Sequence, residues 1–589
     1  MKRILLFVHY NKYNNPADYV IYLLEHIKHI YSRIVFISNS PISEAYEENL
    51  RIICNTIIVR ENKGFDFGAW KDGICQETWG VLEQYDNLTL MNDTCFGPLF
   101  DMEPIYQTME NRDPDFWGLT VFPASSHGMP GTHGPIPEHI QSYFICLSNR
   151  VVKSEIFRKF WQNVQYEINV EKVIRKYETQ LTLILQRAGF NYTVLYNTLK
   201  QSGIMYHSDL STWYPDLCLA NDVPFIKVKS FIKFPNPKYI KELVNEKTDY
   251  PVSLIDDHVF KIYNPNVSLS INNKLIAARL SGDSVNVPQK IAIHLHVYFI
   301  DVFKQYITLL DGLKIRFSLF ITTDTLEKKE KIKSYLIGHI SGRSLIEIIN
   351  IENRGRDIIP WLSIEEKLRE FDIVGHFHTK KSSTSEAWTG LSWQKEIFNL
   401  LIKPTDEIIK TFNVNDKIGI IIPEIPFYFH IFSPLHFSRE RRMQKIMEQL
   451  WIKMGCRKEL DFKALLTAIM PCGTMFWYRP NALKPLFELQ LKAQDVPAEP
   501  IMDGTILHCL ERMLVYIAWN EGFDYRIMAS ESRDISYFED NILLNGLMNS
   551  RVYRLFNLFS PLKSVVFSLR QHGICITLNR ILLRLKNIF

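Results

Sequence analysis

The sequence predicts an α/β protein built from two similar halves, and three observations lead to this prediction. Short apolar runs that suit strands alternate with longer stretches whose apolar residues recur at helical spacing. The motif ENKGFDFGAWKDG at residues 61–73 returns in altered form as ENRGRDIIPWL at residues 352–362. Around both copies the same series of predicted strands and helices recurs. We therefore expect an internal duplication.

The first half is predicted to begin with alternating strands and helices. Strands are expected at residues 3–8, 33–38, 55–59 and 87–91, a helix at residues 17–30, and a second helix from near Phe67. This alternation favours a parallel sheet with helices on its faces. Ligands of such sheets bind beyond the carboxyl ends of the strands, where the motif and the turn NDTCFGP at residues 92–98 both lie.

Composition and charge exclude several classes of protein. At 589 residues the chain is too long for one core, and 46% hydrophobic with 22% charged residues is typical of a folded protein. The small net charge of +4 argues against a nucleic-acid partner. Nine cysteines without a CxxC pair fit a reducing compartment. No run reaches the roughly 20 apolar residues of a membrane span, so we expect a cytoplasmic protein without a signal peptide or a transmembrane segment.

The repeated motif contains the first candidate site. Gly64 allows a tight turn from strand to helix, and the amino terminus of the helix that follows suits a nucleotide or its diphosphate. The candidate residues of this turn are Asn62, Gly64 and Asp66. The alternative is that Asp66 only caps the helix. In the second copy the corresponding residues are Asn353, Gly355 and Asp357.

Asp93 directly follows the apolar run LTLM, so its carboxylate is expected at the end of the fourth strand. One carboxylate, completed by diphosphate oxygens and water, is a common way to hold Mg²⁺ or Mn²⁺. The alternative is an Asx turn formed by residues 92–94.

The second half has HFHTKK at residues 376–381, with no acid at the corresponding place. His378 and Lys380 are candidates to neutralise a diphosphate without a metal. His376 and His378 together are also compatible with a metal, although alternate residues on a strand are common in sheets. A third alternative is a copy that binds and no longer catalyses.

Glu178 and Glu511 are the candidate catalytic bases. Each lies on a predicted helix with a largely apolar face, at the same distance before a Gly-Phe pair. Burial raises the pKa of a carboxylate toward that of a working base. The alternative is a buried salt bridge at each position.

Three further residues flank a loop rich in Gly, Pro and His at residues 125–137 and are candidates for the acceptor side of the site. They are Trp117, in the segment DFWGLT, and His139 and Gln141, at the start of HIQSYF.

The expected regions are a first domain with an extension at residues 1–270, a second domain at residues 286–540, and a basic tail at residues 541–589. The tail contains seven Arg or Lys residues and no acid. Near its end, Leu578, Ile581 and Leu585 form an apolar stripe opposite Arg580 and Arg584. This pattern predicts a helix that lies on an anionic membrane surface, and the alternative is a helix docked on the protein itself.

Together these motifs resemble the rhamnan synthesis protein F family of bacterial polysaccharide rhamnosyltransferases. In the first half the resemblance rests on RENKGFDFGAWKDG, YDNLTLMNDTCFGPLF, DFWGLT, HIQSYF and the helix that begins YET. In the second half it rests on NRGRDIIPW, HFHTKKS, GTMFWYRP and MDGTILHCLERML. It covers most of residues 1–530.

The resemblance implies two tandem GT-A-like (Rossmann-type) glycosyltransferase domains with a C-terminal amphipathic helical tail. It implies inverting transfer of L-rhamnose from dTDP-L-rhamnose to a growing lipid-linked rhamnan at the cytoplasmic membrane face. In this pattern Asn62, Gly64 and Asp66 help to hold the nucleotide, Asp93 holds a metal and the diphosphate, and Glu178 takes the acceptor proton. The missing acid leaves two possibilities open, namely two active sites, or one catalytic domain with a silent glycan- or complex-binding domain.

Overall fold

The computed structural model describes residues 1–125, 134–201, 209–234, 236–279, 289–340, 345–379, 387–426, 441–465, 467–498 and 504–530. The chain forms two compact units. Unit 1 comprises Met1–Tyr263 and Ser270–Asn272, and unit 2 comprises Asn264–Leu269 and Asn273–Phe589. The predicted tail at residues 541–589 and the candidate Lys380 lie outside the described residues.

Unit 1 is built on one mixed sheet and a small two-stranded sheet. Its strands are β1 (Arg3–His9), β2 (Arg33–Ser38), β3 (Thr56–Val59), β4 (Asn87–Asn92), β5 (Cys95–Phe96), β6 (Phe116–Phe122), β7 (His139–Ile140), β8 (Phe144–Ser148), β9 (Tyr192–Tyr196) and β10 (Ile226–Lys227). The large sheet has the order β3-β2-β1-β4-β8-β6-β7, with β9 also paired to β6, and β10 pairs with β5. Strands β1 to β4 are mutually parallel, whereas β8 is antiparallel to both β4 and β6.

The helices of unit 1 lie between and after its strands along the chain. They are Asp18–Ile27, Glu44–Ile53, Phe65–Glu77, Trp79–Leu82, Met102–Asn111, Asn149–Val152, Glu155–Asn163, Val170–Val173, Thr179–Arg187, Leu210–Trp213, Pro215–Ala220, Ser230–Lys233, Pro237–Lys247 and Ser253–Ile262, with 3-10 turns at Lys28–Ile30 and Thr198–Gln201 and a π-helical turn at Ile174–Glu178. The helix Pro265–Ile271 lies where the chain divides into units.

Unit 2 contains a second mixed sheet. Its strands are β11 (Leu275–Ala277), β12 (Ile291–Val297), β13 (Ser318–Thr323), β14 (Ile346–Asn350), β15 (Ile373–His378), β16 (Ile418–Pro423), β17 (Phe476–Tyr478) and β18 (Asp524–Ala529), in the order β11-β18-β16-β17-β15-β12-β13-β14. Its helices are Ile300–Asp311, Leu326–Leu336, Ile358–Leu362, Glu365–Leu368, Ala387–Ile397, Thr405–Val414, Arg441–Lys453, Lys484–Glu488 and Ile506–Asn520, with 3-10 turns at Pro480–Leu483 and Ala493–Asp495 and a π-helical turn at Phe398–Ile402.

The two sheets share their strand order and strand directions. Reading from one edge, β3-β2-β1-β4-β8-β6-β9 corresponds to β14-β13-β12-β15-β17-β16-β18. The register also agrees, because Val8 pairs with Asn92 in unit 1 as His296 pairs with His378 in unit 2. This correspondence assigns each residue of the central strands in unit 1 a counterpart in unit 2.

The prediction of α/β architecture is confirmed, with two corrections. The sheets are mixed rather than parallel, because the chain returns through an antiparallel strand after β4 and β15. The helix expected from near Phe67 begins two residues earlier, at Phe65, because Gly64 is the residue at which the turn ends and the helix is capped. Within the described part of the chain, no helix is long and apolar enough to span a bilayer.

Candidate active site

Gly64 and Phe65 turn the chain from β3 into the helix Phe65–Glu77. Both residues have positive φ angles, of 76° and 50°, which suit glycine and strain a side-chain-bearing residue. The Gly64 amide donates a 2.8 Å hydrogen bond to the carbonyl of Glu167, which anchors the turn. The Asn62 Oδ1 atom is buried without a hydrogen-bond partner among the described residues. The turn therefore presents a polar group that a ligand can satisfy.

Asp66 links the motif to the end of β4. It does not cap the helix, because no side chain makes a capping hydrogen bond at this helix terminus. Instead, Asn92 Nδ2 donates a 2.8 Å hydrogen bond to Asp66 Oδ2. Burial raises the pKa of Asp66 to about 6, and the charge of Glu178 also raises this pKa. The hydrogen bond from Asn92 and the charge of Lys229 lower it, but by less. The motif, the end of β4 and Glu178 thus meet in one region.

Asp93 follows β4, and its side-chain Oδ2 accepts a 2.9 Å hydrogen bond from the Tyr10 amide. Burial, followed by the neighbouring charge of Asp66, raises the pKa of Asp93 to about 8, although the Tyr10 hydrogen bond opposes this shift. The predicted Asx turn is present but belongs to Asn92, whose Oδ1 accepts from the Thr94 amide at 3.2 Å. The Asp93 carboxylate is therefore not used in that turn.

Glu178 ends the π-helical turn Ile174–Glu178 at its junction with the helix Thr179–Arg187. Single π turns inside helices are frequent at functional sites, since they reorient one side chain. Ser142 Oγ donates a 2.8 Å hydrogen bond to Glu178 Oε1. No Lys or Arg among the described residues forms a salt bridge with Glu178, so the alternative of a buried salt bridge has no support there.

Asp66, Asp93 and Glu178 form an acid cluster, in which the charge of Glu178 acts on Asp66 and the charge of Asp66 acts on Asp93. Two of them have raised pKa values because they are buried near other acids, and a cation relieves this repulsion. No Lys or Arg side chain in the described ranges lies within salt-bridge distance of Asp93; its nearest basic atom is His9 Nε2, at 3.9 Å. No three His, Cys, Asp or Glu side chains of the described residues are placed to hold a metal alone, so diphosphate oxygens and water would complete its coordination.

The acceptor-side candidates are distributed differently from the expectation. Trp117 is buried in β6 and packs against Tyr106 and Phe144, with ring centroids 5.1 Å and 5.0 Å away. His139 is buried against Phe122. Gln141 accepts from Thr120 Oγ1 at 2.7 Å and donates to Asp209 Oδ1 at 3.0 Å. The structure gives these three residues no hydrogen bond to the acid cluster, and only Gln141 adjoins it, through the next residue, Ser142.

Unit 2 repeats the turn of the motif. Gly355 and Arg356 have φ angles of 80° and 54°, close to those of Gly64 and Phe65. A Cβ atom on Gly355 would lie 2.2 Å from Ile359 Cγ1, so only glycine fits there. Asn353 is exposed.

Thr379 occupies in unit 2 the place of Asp93 in unit 1. The amide of Thr379 donates to the His296 carbonyl at 2.9 Å, as the amide of Asp93 donates to the Val8 carbonyl at 3.1 Å. The Thr379 hydroxyl accepts from the amides of Tyr298 and Phe299 at 2.8 Å and 2.9 Å. A neutral hydroxyl engaged in this way replaces the carboxylate, which leaves unit 2 without the acid of unit 1.

A buried layer of histidines lies beside Asp357. His294 and His376 hydrogen bond through their Nδ1 atoms at 2.9 Å, and Thr322 Oγ1 contacts His294 Nε2 at 2.9 Å and His296 Nδ1 at 3.0 Å. Burial lowers the pKa of His296 to about 4 and also lowers that of His376. In unit 1 the matching positions of this layer are apolar: Leu6, Val8, Ile37 and Leu90.

Asp357 faces this layer without a direct hydrogen bond. Its Oδ2 atom lies 3.8 Å from His376 Nε2 and 3.9 Å from His378 Nε2. Burial alone would raise the pKa of Asp357, but the two imidazoles outweigh it and lower this pKa well below its usual range. His378 Nε2 donates to the Gly473 carbonyl at 2.6 Å, so this nitrogen carries a proton and does not ligate a metal.

Glu511 lies in the helix Ile506–Asn520 and is held by the main chain. The Gly473 amide donates to Glu511 Oε1 at 2.5 Å, and Arg512 Nη1 lies 3.7 Å from Glu511 Oε2. Ser142 and Gly473 therefore supply equivalent donors to the two candidate bases, one from a hydroxyl and one from a backbone amide. The contact with Arg512 is the salt bridge that was the alternative at Glu511, whereas no described residue forms one with Glu178.

Sequence reasoning missed four residues of the unit 1 site: His9, Tyr10, Asn92 and Ser142. His9 and Tyr10 immediately follow the apolar run of the first strand, so the rule that directed attention to Asp93 applies to them too. Ser142 gave no comparable signal, because its contact with Glu178 joins residues from separate elements.

Curated relatives match parts of the chain. The uncharacterised protein WxcX of Xanthomonas campestris pv. campestris (strain B100) is 28% identical over 226 residues, which cover 37% of this chain and 30% of the relative. The uncharacterised protein y4gN of Sinorhizobium fredii (strain NBRC 101917 / NGR234) is 32% identical over 185 residues, or 31% of this chain and 46% of the relative. The chain thus spans less than half the length of these two relatives.

The solved structures that are similar to the chain include two proteins with low sequence identity to it. The apo-form glycosyltransferase GlyE of Streptococcus pneumoniae TIGR4 has 10% identity and a TM-score of 0.24, with 65% of this chain and 87% of that chain covered. Core-mannan synthase A of Aspergillus fumigatus, in its Mn/GDP form, has 8% identity and a TM-score of 0.21, with 31% and 70% covered.

The motifs on which the resemblance rests are distributed along nearly the whole described chain. The sequence model of the family described as rhamnan synthesis protein F matches residues 34–523, a range that includes the repeated motif and the candidate acids of both units. The chain therefore belongs to the rhamnan synthesis protein F family.

Proposed function

We propose that this protein is a rhamnosyltransferase that transfers L-rhamnose from dTDP-L-rhamnose to a growing lipid-linked rhamnan at the cytoplasmic face of the membrane. The proposal includes two tandem GT-A-like domains, at residues 1–270 and 286–540, and a membrane-associating tail at residues 541–589. Family membership supports the polymer and the sugar. The observation that carries the catalytic assignment is the cluster of Asp66, Asp93 and Glu178 at the carboxyl ends of the parallel strands.

In unit 1 the acceptor hydroxyl would lose its proton to Glu178. Ser142 orients one carboxylate oxygen, and no described residue donates a hydrogen bond to the other, Oε2. As the acceptor oxygen bonds to the anomeric carbon, the bond from that carbon to the diphosphate breaks and dTDP leaves with the electron pair. This inverting displacement requires the base and the leaving group on opposite sides of the sugar.

The nucleotide would bind at the turn of the motif. Asn62 Oδ1 is an unsatisfied acceptor there, and Gly64 brings the backbone close to the ligand. Asp93 would hold Mg²⁺ or Mn²⁺, and the cation would supply positive charge to the departing diphosphate. Thr379 gives unit 2 no such carboxylate, so we propose that any donor in unit 2 binds through His378 and Lys380 without that metal position.

The alternative is one catalytic domain with a second, silent domain that binds glycan or another protein of the assembly. The loss of the acid at Thr379 favours this alternative, whereas Glu511, held like Glu178, favours two active sites. We therefore propose an assay of the full chain with dTDP-L-rhamnose and a short rhamnan acceptor, with mass and linkage analysis of the product.

Four proteins separate the two possibilities: the wild type, Glu178→Gln, Glu511→Gln and the double variant. If both units are active, each single variant loses a different linkage. If unit 2 is silent, Glu511→Gln retains the full product spectrum and Glu178→Gln loses it. Absence of rhamnose transfer by the wild type, with transfer from another nucleotide sugar, would contradict the proposed donor.

A further inference from the structure

We propose that His9 is a second protein ligand of the divalent cation at Asp93, through its Nε2 atom. This inference rests on the proposed metal site in unit 1 and adds an imidazole to it. His9 ends β1, beside the position where Asp93 follows β4, and only 1% of the residue is exposed. Its Nε2 atom is buried and has no hydrogen-bond partner among the described residues.

The hydrogen bonds around His9 determine which nitrogen carries the proton. Ser38 Oγ donates to the Ser40 carbonyl at 2.7 Å, so its single proton is already used. His9 Nδ1 lies 2.9 Å from the same oxygen and must therefore be the donor of that contact. In a neutral imidazole this leaves Nε2 with a lone pair.

The position of this lone pair suits a shared cation. His9 Nε2 lies 3.9 Å from Asp93 Oδ2, too far for a hydrogen bond. With metal–ligand distances near 2.1 Å, two atoms on one cation lie about 3.0 Å apart at right angles and about 4.2 Å apart on opposite sides. The observed separation falls between these limits. The stacked ring of Phe36, 5.5 Å from that of His9, helps to fix the orientation of the imidazole.

Unit 2 lacks both members of the pair. The register of the sheets places Val297 where unit 1 has His9, and Thr379 where it has Asp93. Ser38, which sets the tautomer of His9, corresponds to Thr323, whose hydroxyl donates to the Val297 carbonyl at 2.9 Å. The imidazole and the carboxylate thus occur together in unit 1 and are replaced together in unit 2, where the hydroxyl at the position of Ser38 donates to the main chain.

A Ser–His–metal arrangement is chemically familiar, because a ligating histidine usually donates its other ring N–H to an oxygen that fixes its orientation. An imidazole ligand also shifts the preference of the site from Mg²⁺ toward a transition metal such as Mn²⁺. We therefore expect Mn²⁺ to bind more tightly than Mg²⁺, with dTDP oxygens and water in the remaining positions.

The test uses electron spin-echo spectroscopy of Mn²⁺ bound to the full chain with dTDP. The wild type is expected to show a ¹⁴N coupling that becomes a ¹⁵N coupling when the protein is labelled with ¹⁵N-histidine. His9→Val, which introduces the residue that unit 2 carries, is expected to lose the coupling and to bind Mn²⁺ about tenfold more weakly. His26→Gln, at an exposed histidine of the same unit, is the control and is expected to retain both.

The outcomes distinguish this inference from the proposed function. Mn²⁺ that binds with dTDP but shows no histidine nitrogen coupling would overturn the assignment of His9 and leave the metal site at Asp93 intact. A coupling that persists in His9→Val would also overturn it. If no Mn²⁺ binds at all, the proposed metal use fails together with this inference. Should the valine variant not fold, His9→Gln gives the same comparison with a polar side chain.

Discussion

Asp93 and Thr379 occupy the same position after the fourth strand of their sheets, and each accepts a hydrogen bond from the backbone amide of a tyrosine, Tyr10 or Tyr298. The two units therefore preserve the backbone of this corner while they exchange a carboxylate for a hydroxyl. Since a neutral hydroxyl whose hydrogen bonds all go to the main chain is a poor cation ligand, metal binding should differ between the units.

We expect the full chain to bind one Mn²⁺ in the presence of dTDP, and Asp93→Asn to weaken this binding at least about tenfold. The amide cannot supply the charge of the carboxylate, although it preserves its shape. Titration followed by electron paramagnetic resonance measures both quantities. Glu155→Gln removes a charge of the same sign from an exposed helix of the same unit and is the control. Two equivalent Mn²⁺ ions per chain would contradict the difference between the units.

The raised pKa of Asp93 should make stability depend on pH. The folded state keeps a proton that the unfolded chain releases, because the pKa of this group rises from 3.8 to about 8 on folding. As pH rises from about 4 to 8 without metal, the free energy of unfolding of the wild type should therefore fall relative to that of Asp93→Asn. Denaturant titrations across this range in the presence of EDTA measure the difference. A constant difference between the two proteins would show that Asp93 does not titrate in this way.

Gly355→Ala should destabilise unit 2 by roughly 2 kcal/mol or more, because the position combines a φ of 80° with a Cβ that would lie 2.2 Å from Ile359. Gly338→Ala is the matched control, since a Cβ there meets no atom within 4 Å and its φ is not positive. The midpoint of chemical denaturation should fall for the first variant and change little for the second. Equal midpoints would show that the turn tolerates a side chain.

Deletion of residues 551–589 should abolish sedimentation of the protein with vesicles that contain anionic phospholipid. The basic and apolar faces expected in this segment supply both electrostatic attraction and burial in the interface. Replacement of Arg580 and Arg584 with Glu should have a similar effect, and vesicles without anionic lipid are the control. Unchanged sedimentation of the truncated protein would favour a tail that does not bind the membrane.

Several residues of the candidate site could be predicted because the sequence shows where its strands end. Asp66 and Asp93 each follow a predicted strand or its turn, and the carboxyl ends of parallel strands lie at the same edge of a sheet. Glu178, whose charge acts on Asp66, ends a π-helical turn, and apolar spacing does not reveal such a turn. Trp117 illustrates the opposite error, since an aromatic residue beside a predicted loop proved to be part of a buried strand packed on Tyr106.

The differences between the two halves could be predicted only in part from the sequence. The absence of an acid in HFHTKK was apparent from the sequence. Which residue replaces Asp93 became clear only from the strand pairing, which places Thr379 at the position of Asp93 and Val297 at that of His9. The histidine layer beside Asp357 draws residues from two strands and a threonine from a third. Such a network is formed by strand pairing and cannot be recognised from one segment alone.

The most direct test of the central claim measures rhamnose transfer by the full chain when Glu178→Gln is introduced into a Glu511→Gln background. Any activity of that background depends on unit 1, and glutamine keeps the size of Glu178 but cannot accept the acceptor proton. We predict that kcat falls by about 100-fold or more with little change in KM for dTDP-L-rhamnose, whereas Glu155→Gln in the same background changes neither. Full turnover by the Glu178→Gln protein would contradict the assignment of Glu178 as the catalytic base.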